Sequence, residues 1–219
     1  MAETAKKKEF VEIKYTGYAN GSVFDSNIEE DLRTLSPKAK VQKTIVVIGE
    51  GAVVSGLDKA LEGKEIGKEY EVEINSKEGF GERNKQLIKI IPLKLFREKN
   101  ANPVPGMTFT FDNALAKVIA VSGARVIVDF NNPLSGKKIK YKFSIVRKVE
   151  DEKEKIDAFF EIFLKFVPEV EIADKIIVVG PKGFDGIVNV LNDKAKELLG
   201  KELGFKEKEE KKEETKKDN

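Results

Sequence analysis

Apolar and polar residues alternate along several stretches of this chain, and each alternation predicts a half-buried β-strand. From Phe10 to Tyr18, Val11, Ile13 and Tyr15 alternate with Glu12 and Lys14. From Lys68 to Ile74, Tyr70, Val72 and Ile74 share one face. The longest alternation runs through Ile139, Tyr141, Phe143 and Ile145 to Val149. Lys43 to Ile48 is a further strand, β-branched from Thr44 onward, that breaks at Gly49 and Gly51. A short helix, Ser55 to Glu62, follows and stops at Gly63. Asn20-Gly21 is a hairpin turn signal, because both residues tolerate positive φ. Asn27 to Gln42 is polar and irregular, a long loop. These strands wrapped on one short helix make an antiparallel α+β half-barrel.

About sixty residues separate Phe80 from the last of those strands, too many for a structureless loop, so the interval folds by itself. Ile88 to Phe96 is apolar, with Pro92 opening a short helical turn. Met107 to Phe111, Leu115 to Val121 and Arg125 to Phe130 are β-rich, parted by turns at Asp112-Asn113 and Ser122-Gly123. After Val149 a third region begins. Ile156, Phe159, Phe160, Phe163, Leu164 and Val167 follow the helical repeat up to Pro168. Glu169 to Val179 predicts a hairpin turning near Ala173-Asp174-Lys175, and a second amphipathic helix carries Phe184 to Leu199. Lys206 to Asn219 is nearly pure Lys and Glu, a solvated tail with nothing to bury. The expected division is therefore residues 1–83 with 139–150, an inserted small β domain over 84–138, a separate C-terminal α+β domain over 151–205, and a disordered tail over 206–219. One apolar side per helix makes the C-terminal core marginal alone. Docking on a partner copy, and so a homodimer, is one way to complete it.

Composition narrows the function. The 219 residues are 40% hydrophobic, enough for a packed core. Lys and Arg total 40 against 38 Asp and Glu, a balance that argues against nucleic acid as a partner. Charged residues reach 36%, above the usual ~25%, with Lys and Glu dominant as in proteins that work hot; a charged tail produces the same excess. No Cys and no His is present, which removes thiol nucleophiles, thiolate or imidazole metal ligands and the commonest general base. Met1 to Lys8 has no apolar segment, and no stretch approaches membrane-spanning length. A cytoplasmic protein, with no membrane partner and no cofactor, is expected.

The passage richest in chemistry is Gly49-Glu50-Gly51-Ala52-Val53-Val54-Ser55-Gly56-Leu57. Neighbouring valines cannot share one strand face. At a strand-to-helix elbow they can line one wall of a pocket, with Leu57 as its floor; an ordinary corner burying three aliphatics uses the same residues. Upstream stand Tyr15-Thr16-Gly17-Tyr18 and Val23-Phe24-Asp25-Ser26, and downstream Tyr70-Glu71-Val72-Glu73-Ile74, Glu78-Gly79-Phe80-Gly81 and Lys140-Tyr141-Lys142-Phe143. This ordered set closely resembles the FKBP-type peptidyl-prolyl cis/trans isomerases over roughly the first two thirds of the chain. The spliced β segment and Asn132-Pro133-Leu134-Ser135-Gly136 resemble the insert-in-flap domain of the long archaeal, SlyD-like branch.

That resemblance implies a rotamase that accelerates proline-limited folding, with Tyr15, Phe24, Asp25, Val53, Val54, Leu57, Phe80 and Phe143 at the proline pocket. Val54 offers its N–H to a substrate carbonyl, and Asp25 stands at the rim; a turn cap is the plainer role for Asp25. The chemistry suits a chain without His or Cys. Rotation about an Xaa-Pro bond has a barrier of about 20 kcal/mol and needs no proton transfer. The twisted amide is less polar than the planar one, so an apolar pocket favours it. A thousandfold acceleration takes about 4 kcal/mol. Within the insert, Ile90, Ile91, Leu95, Phe96, Val104, Met107, Phe109 and Phe111 exceed what a small core needs, and part of this set is expected to bind unfolded chains. Leu57 stands where many relatives place Trp, and Phe80 where Tyr is frequent, so macrolide affinity is in doubt. The Lys/Glu tail lacks nickel ligands. A non-catalytic holdase chaperone with a vestigial pocket is the alternative.

Overall fold

The computed structural model describes residues 3–111 and 114–208; the expected Asp112-Asn113 turn, and the tail beyond residue 208, lie outside the described residues. The chain forms β1 (Phe10–Ala19), β2 (Ser22–Ser26), α1 (Glu29–Leu35), β3 (Thr44–Val47), α2 (Ser55–Leu61) and β4 (Glu69–Ile74). It continues through β5 (Ile88–Pro92), α3 (Leu93–Glu98), β6 (Thr108–Phe111), β7 (Ala114–Ser122), β8 (Arg125–Asp129) and β9 (Ile139–Lys148). Last come α4 (Glu152–Leu164), β10 (Glu169–Ile172), β11 (Ile176–Gly180), α5 (Asp185–Leu199) and β12 (Leu203–Glu207). The fold is mixed α+β, and its strands fall into three sheets. No helix among the described residues is long and apolar enough to cross a membrane.

The first sheet runs β2-β1-β9-β4, all antiparallel, with β3 paired to the first half of β1. β1 serves two partners in turn: Phe10–Ile13 pair with β3 and Thr16–Ala19 with β2. Period-two alternation turns Val11, Ile13, Ile139, Tyr141, Phe143 and Ile145 onto one face, where Leu57 and Leu61 of α2 close the core. Close approach of α2 to β4 needs Gly56, whose Cβ would sit 2.5 Å from Ile74 Cγ2. The expected loop after Asn27 contains α1, which has no buried residue. No apolar stripe announced it. An acidic first turn, Glu29, Glu30 and Asp31, suits the positive helix end, and Asp31 accepts the Thr16 hydroxyl at 2.6 Å.

The second sheet, β5-β8-β7-β6, belongs to the inserted stretch and has its own core of Ile91, Phe96, Ala116, Val118, Val126 and Val128. The third, β10-β11-β12, contains a parallel β11–β12 pair. β12 corrects the expected tail: Lys206 and Glu207 are strand residues paired with Val179 and Gly180, and Lys208 N–H donates to the Gly180 carbonyl. Composition hid this, because an outer strand with backbone partners needs little apolar side chain. α4 and α5 bury Ile156, Phe159, Phe160, Val188 and Ala195 together with Phe10, Val47 and Val149. These contacts lie within one chain: the C-terminal helices seat on the first sheet.

Phe10, 3% exposed, is shared between the first sheet and the C-terminal core. Phe10→Ala is expected to cost about 3–5 kcal/mol in urea or guanidinium unfolding. A loss under about 1 kcal/mol would show that the C-terminal unit is not seated on this sheet.

Candidate active site

The two-residue turn at Asn20-Gly21 folds β2 back on β1 and carries Phe24 and Asp25 over the apolar face. Asn27 holds the end of β2 in place. Its side chain accepts from Tyr15 N at 2.8 Å and donates to the Ile13 carbonyl at 2.8 Å and Thr44 Oγ1 at 3.0 Å. Across the hairpin the Tyr15 hydroxyl donates to Asp25 Oδ2 at 3.1 Å. Phe24 meets Phe80 edge-on at 5.6 Å between centroids and Tyr141 at 5.7 Å; Tyr15 meets Tyr141 at 5.9 Å. These rings share an apolar cluster with Val53, Val54 and the buried Leu57.

A missing side chain makes room for the rings. Gly17 pairs with Tyr141 across β1 and β9. A Cβ there would lie 2.7 Å from Phe24 Cζ and 2.9 Å from Tyr141 Cε1. Glycine is required by space rather than by its torsion angles. On the opposite wall, Gly49 and Gly51 adopt φ of 88° and 70°, and the buried Asp58 of α2 accepts both their N–H groups, at 2.8 and 2.9 Å. Val54 then caps α2, its carbonyl accepting from Leu57 and Asp58. Among the described residues the Val54 N–H has no partner. The Phe80 loop is fastened by Ser135, whose hydroxyl donates to the Phe80 carbonyl at 3.0 Å, and by Gly136 N–H to the Gly81 carbonyl at 2.8 Å.

Burial, followed by the facing Asp25 carboxylate, pushes the Tyr15 phenol well above its ordinary value; Tyr141 is raised by the same two causes in the same order. Both phenols therefore stay neutral throughout ordinary conditions. What results is an apolar cluster of rings and valines with a single carboxylate at its edge. It can grip an apolar ring and disfavour charge separation, and it holds no nucleophile.

The structure brings Tyr15, Phe24, Val53, Val54, Leu57, Phe80 and Phe143 into one cluster, with Asp25 bonded at its rim. Phe143 is buried, paired in register with Tyr15, and its ring stacks on Tyr70 at 5.8 Å. The β9 ring that meets Tyr15 and Phe24 is Tyr141, which the sequence reading left out of the pocket. The same alternation that selected Phe143 includes it. Asp58 was also missed; only the two glycine amides it binds reveal its use.

The expected client-binding residues of the insert divide by burial. Ile91 lies in the insert's core, because inward positions of β5 face Val126 and Val128, so it is not available at the surface. Ile90, 62% exposed, Leu95 and Val104 face solvent. Leu95, Phe96, Met107, Phe109 and Phe111 line a cleft of about 140 Å³. Asn131 bridges the two chain segments entering and leaving the insert, accepting from Asn84 N at 2.8 Å and donating to the Asn84 carbonyl at 3.0 Å. Burial raises the Asp129 carboxyl, but hydrogen bonds from Asn131 and Arg83 outweigh it and hold the group below its ordinary value.

Comparison with known proteins identifies the family. Residues 1–97 match the model of FKBP-type peptidyl-prolyl cis-trans isomerase, and residues 89–134 match the FKBP26, IF domain. A short-type peptidyl-prolyl cis-trans isomerase of Methanocaldococcus jannaschii is 31% identical over 148 residues, 66% of this chain and 94% of that protein. The FKBP-type isomerase SlyD of Haemophilus influenzae is 33% identical over 112 residues, 49% of this chain and 58% of SlyD. A solved peptidyl-prolyl cis-trans isomerase of Pseudomonas syringae pv. tomato aligns with 68% of this chain and 70% of its own at 12% identity and a TM-score of 0.34, a likeness too loose to argue from.

Because folding raises both phenols, the stability they contribute is complete below about pH 10 and is lost as pH climbs beyond it. Tyrosinate absorbance of Tyr15→Phe and Tyr141→Phe, set against the parent chain, is expected to show each phenol ionising only as the protein unfolds. Reversible ionisation near pH 10 in the folded state would contradict the buried hollow.

Proposed function

This chain belongs to the FKBP-type peptidyl-prolyl cis-trans isomerases and catalyses rotation about Xaa-Pro bonds, and we propose that it does so in the hollow walled by Tyr15, Phe24, Val53, Val54, Phe80 and Tyr141. The observation that carries this reading is the meeting of Phe24 with both Phe80 and Tyr141, three rings from distant parts of the chain in one apolar cluster. A proline ring packs there against Phe24, Val54 and the Leu57 floor. The unpartnered Val54 N–H takes the substrate carbonyl, holding one side of the amide while the other rotates. The pocket's low polarity then favours the twisted state, in which amide charge separation is lost. Asp25 fixes the Tyr15 phenol and places one negative charge at the mouth.

The same reading divides the chain into a discontinuous isomerase domain of half-barrel form over 1–83 and 139–150, the insert over 84–138, and a C-terminal domain that extends to residue 208. The insert's cleft, which Leu95 lines, together with the exposed Ile90 of β5, is proposed to hold unfolded chains and to present their prolines to the pocket. Tethering at an effective concentration of order millimolar raises turnover of protein substrates without any improvement in the pocket.

Asp25→Ala is expected to lower kcat/KM for a proline tetrapeptide about tenfold. Val54→Pro, which deletes the N–H at a φ of -56° that proline accepts, should lower it by at least as much. Wild-type rates in both variants would remove the pocket assignment. For the insert, Ile90→Lys with Leu95→Lys should slow catalysis of proline-limited refolding of a protein severalfold and tetrapeptide turnover far less. Equal loss on both substrates, or none on either, argues against delivery.

A further inference from the structure

The turn that carries the Val53–Val54 wall is gripped from outside the isomerase domain, and we infer that the Lys194–Glu50 ion pair is a positioning contact for the reaction. Glu50 sits at the centre of that turn, between the two positive-φ glycines. Its side chain is only 10% exposed, and Lys194 Nζ of α5 lies 2.8 Å from its Oε2. A carboxylate so sheltered needs a cation beside it. Lys194 is itself steered by Glu197, 3.1 Å away, and Glu197 takes Lys8 at 2.7 Å, just before β1. The turn is thus held on two sides: Asp58 of α2 binds its amides from within the pocket domain, and α5 of the C-terminal unit binds its one side chain.

The physical need for the second grip follows from the turn's composition. Two glycines within three residues leave this turn's torsions unrestricted by side chains, so its shape depends on the contacts that hold it. Ala52, Val53 and Val54 continue from it as bend and coil, with no strand partner, until α2 begins at Ser55. The pocket separates planar from twisted amide by small differences in packing, so a shift of the wall by a fraction of an ångström changes the rate. The C-terminal unit therefore acts on the isomerase site through one ion pair while touching no substrate. This inference rests on the Val53–Val54 wall belonging to the pocket.

Its test uses the full chain. Lys194→Met and Glu50→Gln are each expected to lower tetrapeptide kcat/KM roughly three- to tenfold, the range that follows from losing one partly sheltered ion pair. Amide hydrogen exchange at Ala52 to Val54 should speed up in the same variants. Lys194→Arg, which keeps a cation within reach of Glu50, should retain wild-type rate and exchange. Lys175→Met removes a pair with Glu202 in the same C-terminal unit, away from the turn, and should alter neither readout. Unchanged kinetics and exchange in both single variants, or equal harm from Lys175→Met, would overturn the clamp. A tetrapeptide rate that responds to neither Val54→Pro nor Asp25→Ala would instead strike the pocket reading underneath it.

Discussion

Strand β3 has an apolar cluster on each of its faces, and the placement of the Val53–Val54 elbow follows from that. Val46 and Ile48 point into the core closed by α2, while Ile45 and Val47 point into the core made with α4, β11 and α5. A strand covered on both sides reads as a continuous β-branched run instead of an alternation, which is how Thr44 to Ile48 appears. Sandwiched in this way, β3 has little freedom, and the Gly49–Gly51 turn leaves it at a fixed point. Asp58 and Lys194 then act on a turn whose origin is already set.

The chemistry of the hollow depends on what it keeps out. The tyrosine phenols facing it are held neutral by burial and by the Asp25 carboxylate, and Gly17 removes the side chain that would hold Phe24 and Tyr141 apart. In the proposed pocket, aromatic rings and valine methyls gather in one apolar cluster. The Asp25 carboxylate stands at the edge of this cluster, hydrogen-bonded to Tyr15. A chain with neither His nor Cys needs nothing more for this reaction, because bond rotation transfers no proton and forms no covalent intermediate.

The insert is joined to the first sheet at a narrow neck. Asn131 and Asn84 exchange hydrogen bonds across its two crossing segments, Arg83 pairs with Asp129, and Ser135 holds the Phe80 carbonyl. The return crossing therefore also anchors one aromatic wall of the pocket. Beyond the neck the insert keeps a core of its own, and that core, by claiming Ile91, leaves Ile90 and Leu95 outside.

Much of this protein was legible in its residues. Alternation gave β1, β4 and β9, the helical repeat gave α4 and α5, and the residue types at Tyr15, Phe24, Asp25 and Val53–Val54 marked residues that the fold gathers into one cluster. Those signals are local: a half-buried strand or helix face must show its period whatever it packs against. The tertiary structure alone decided which face each element turns toward another. It made Phe10 and Val47 part of the C-terminal core, brought Tyr141 against Phe24 across Gly17, paired the Lys-rich β12 with β11, and set Lys194 on Glu50. Each of these depends on residues tens to well over a hundred positions apart, and no short-range pattern encodes such a distance.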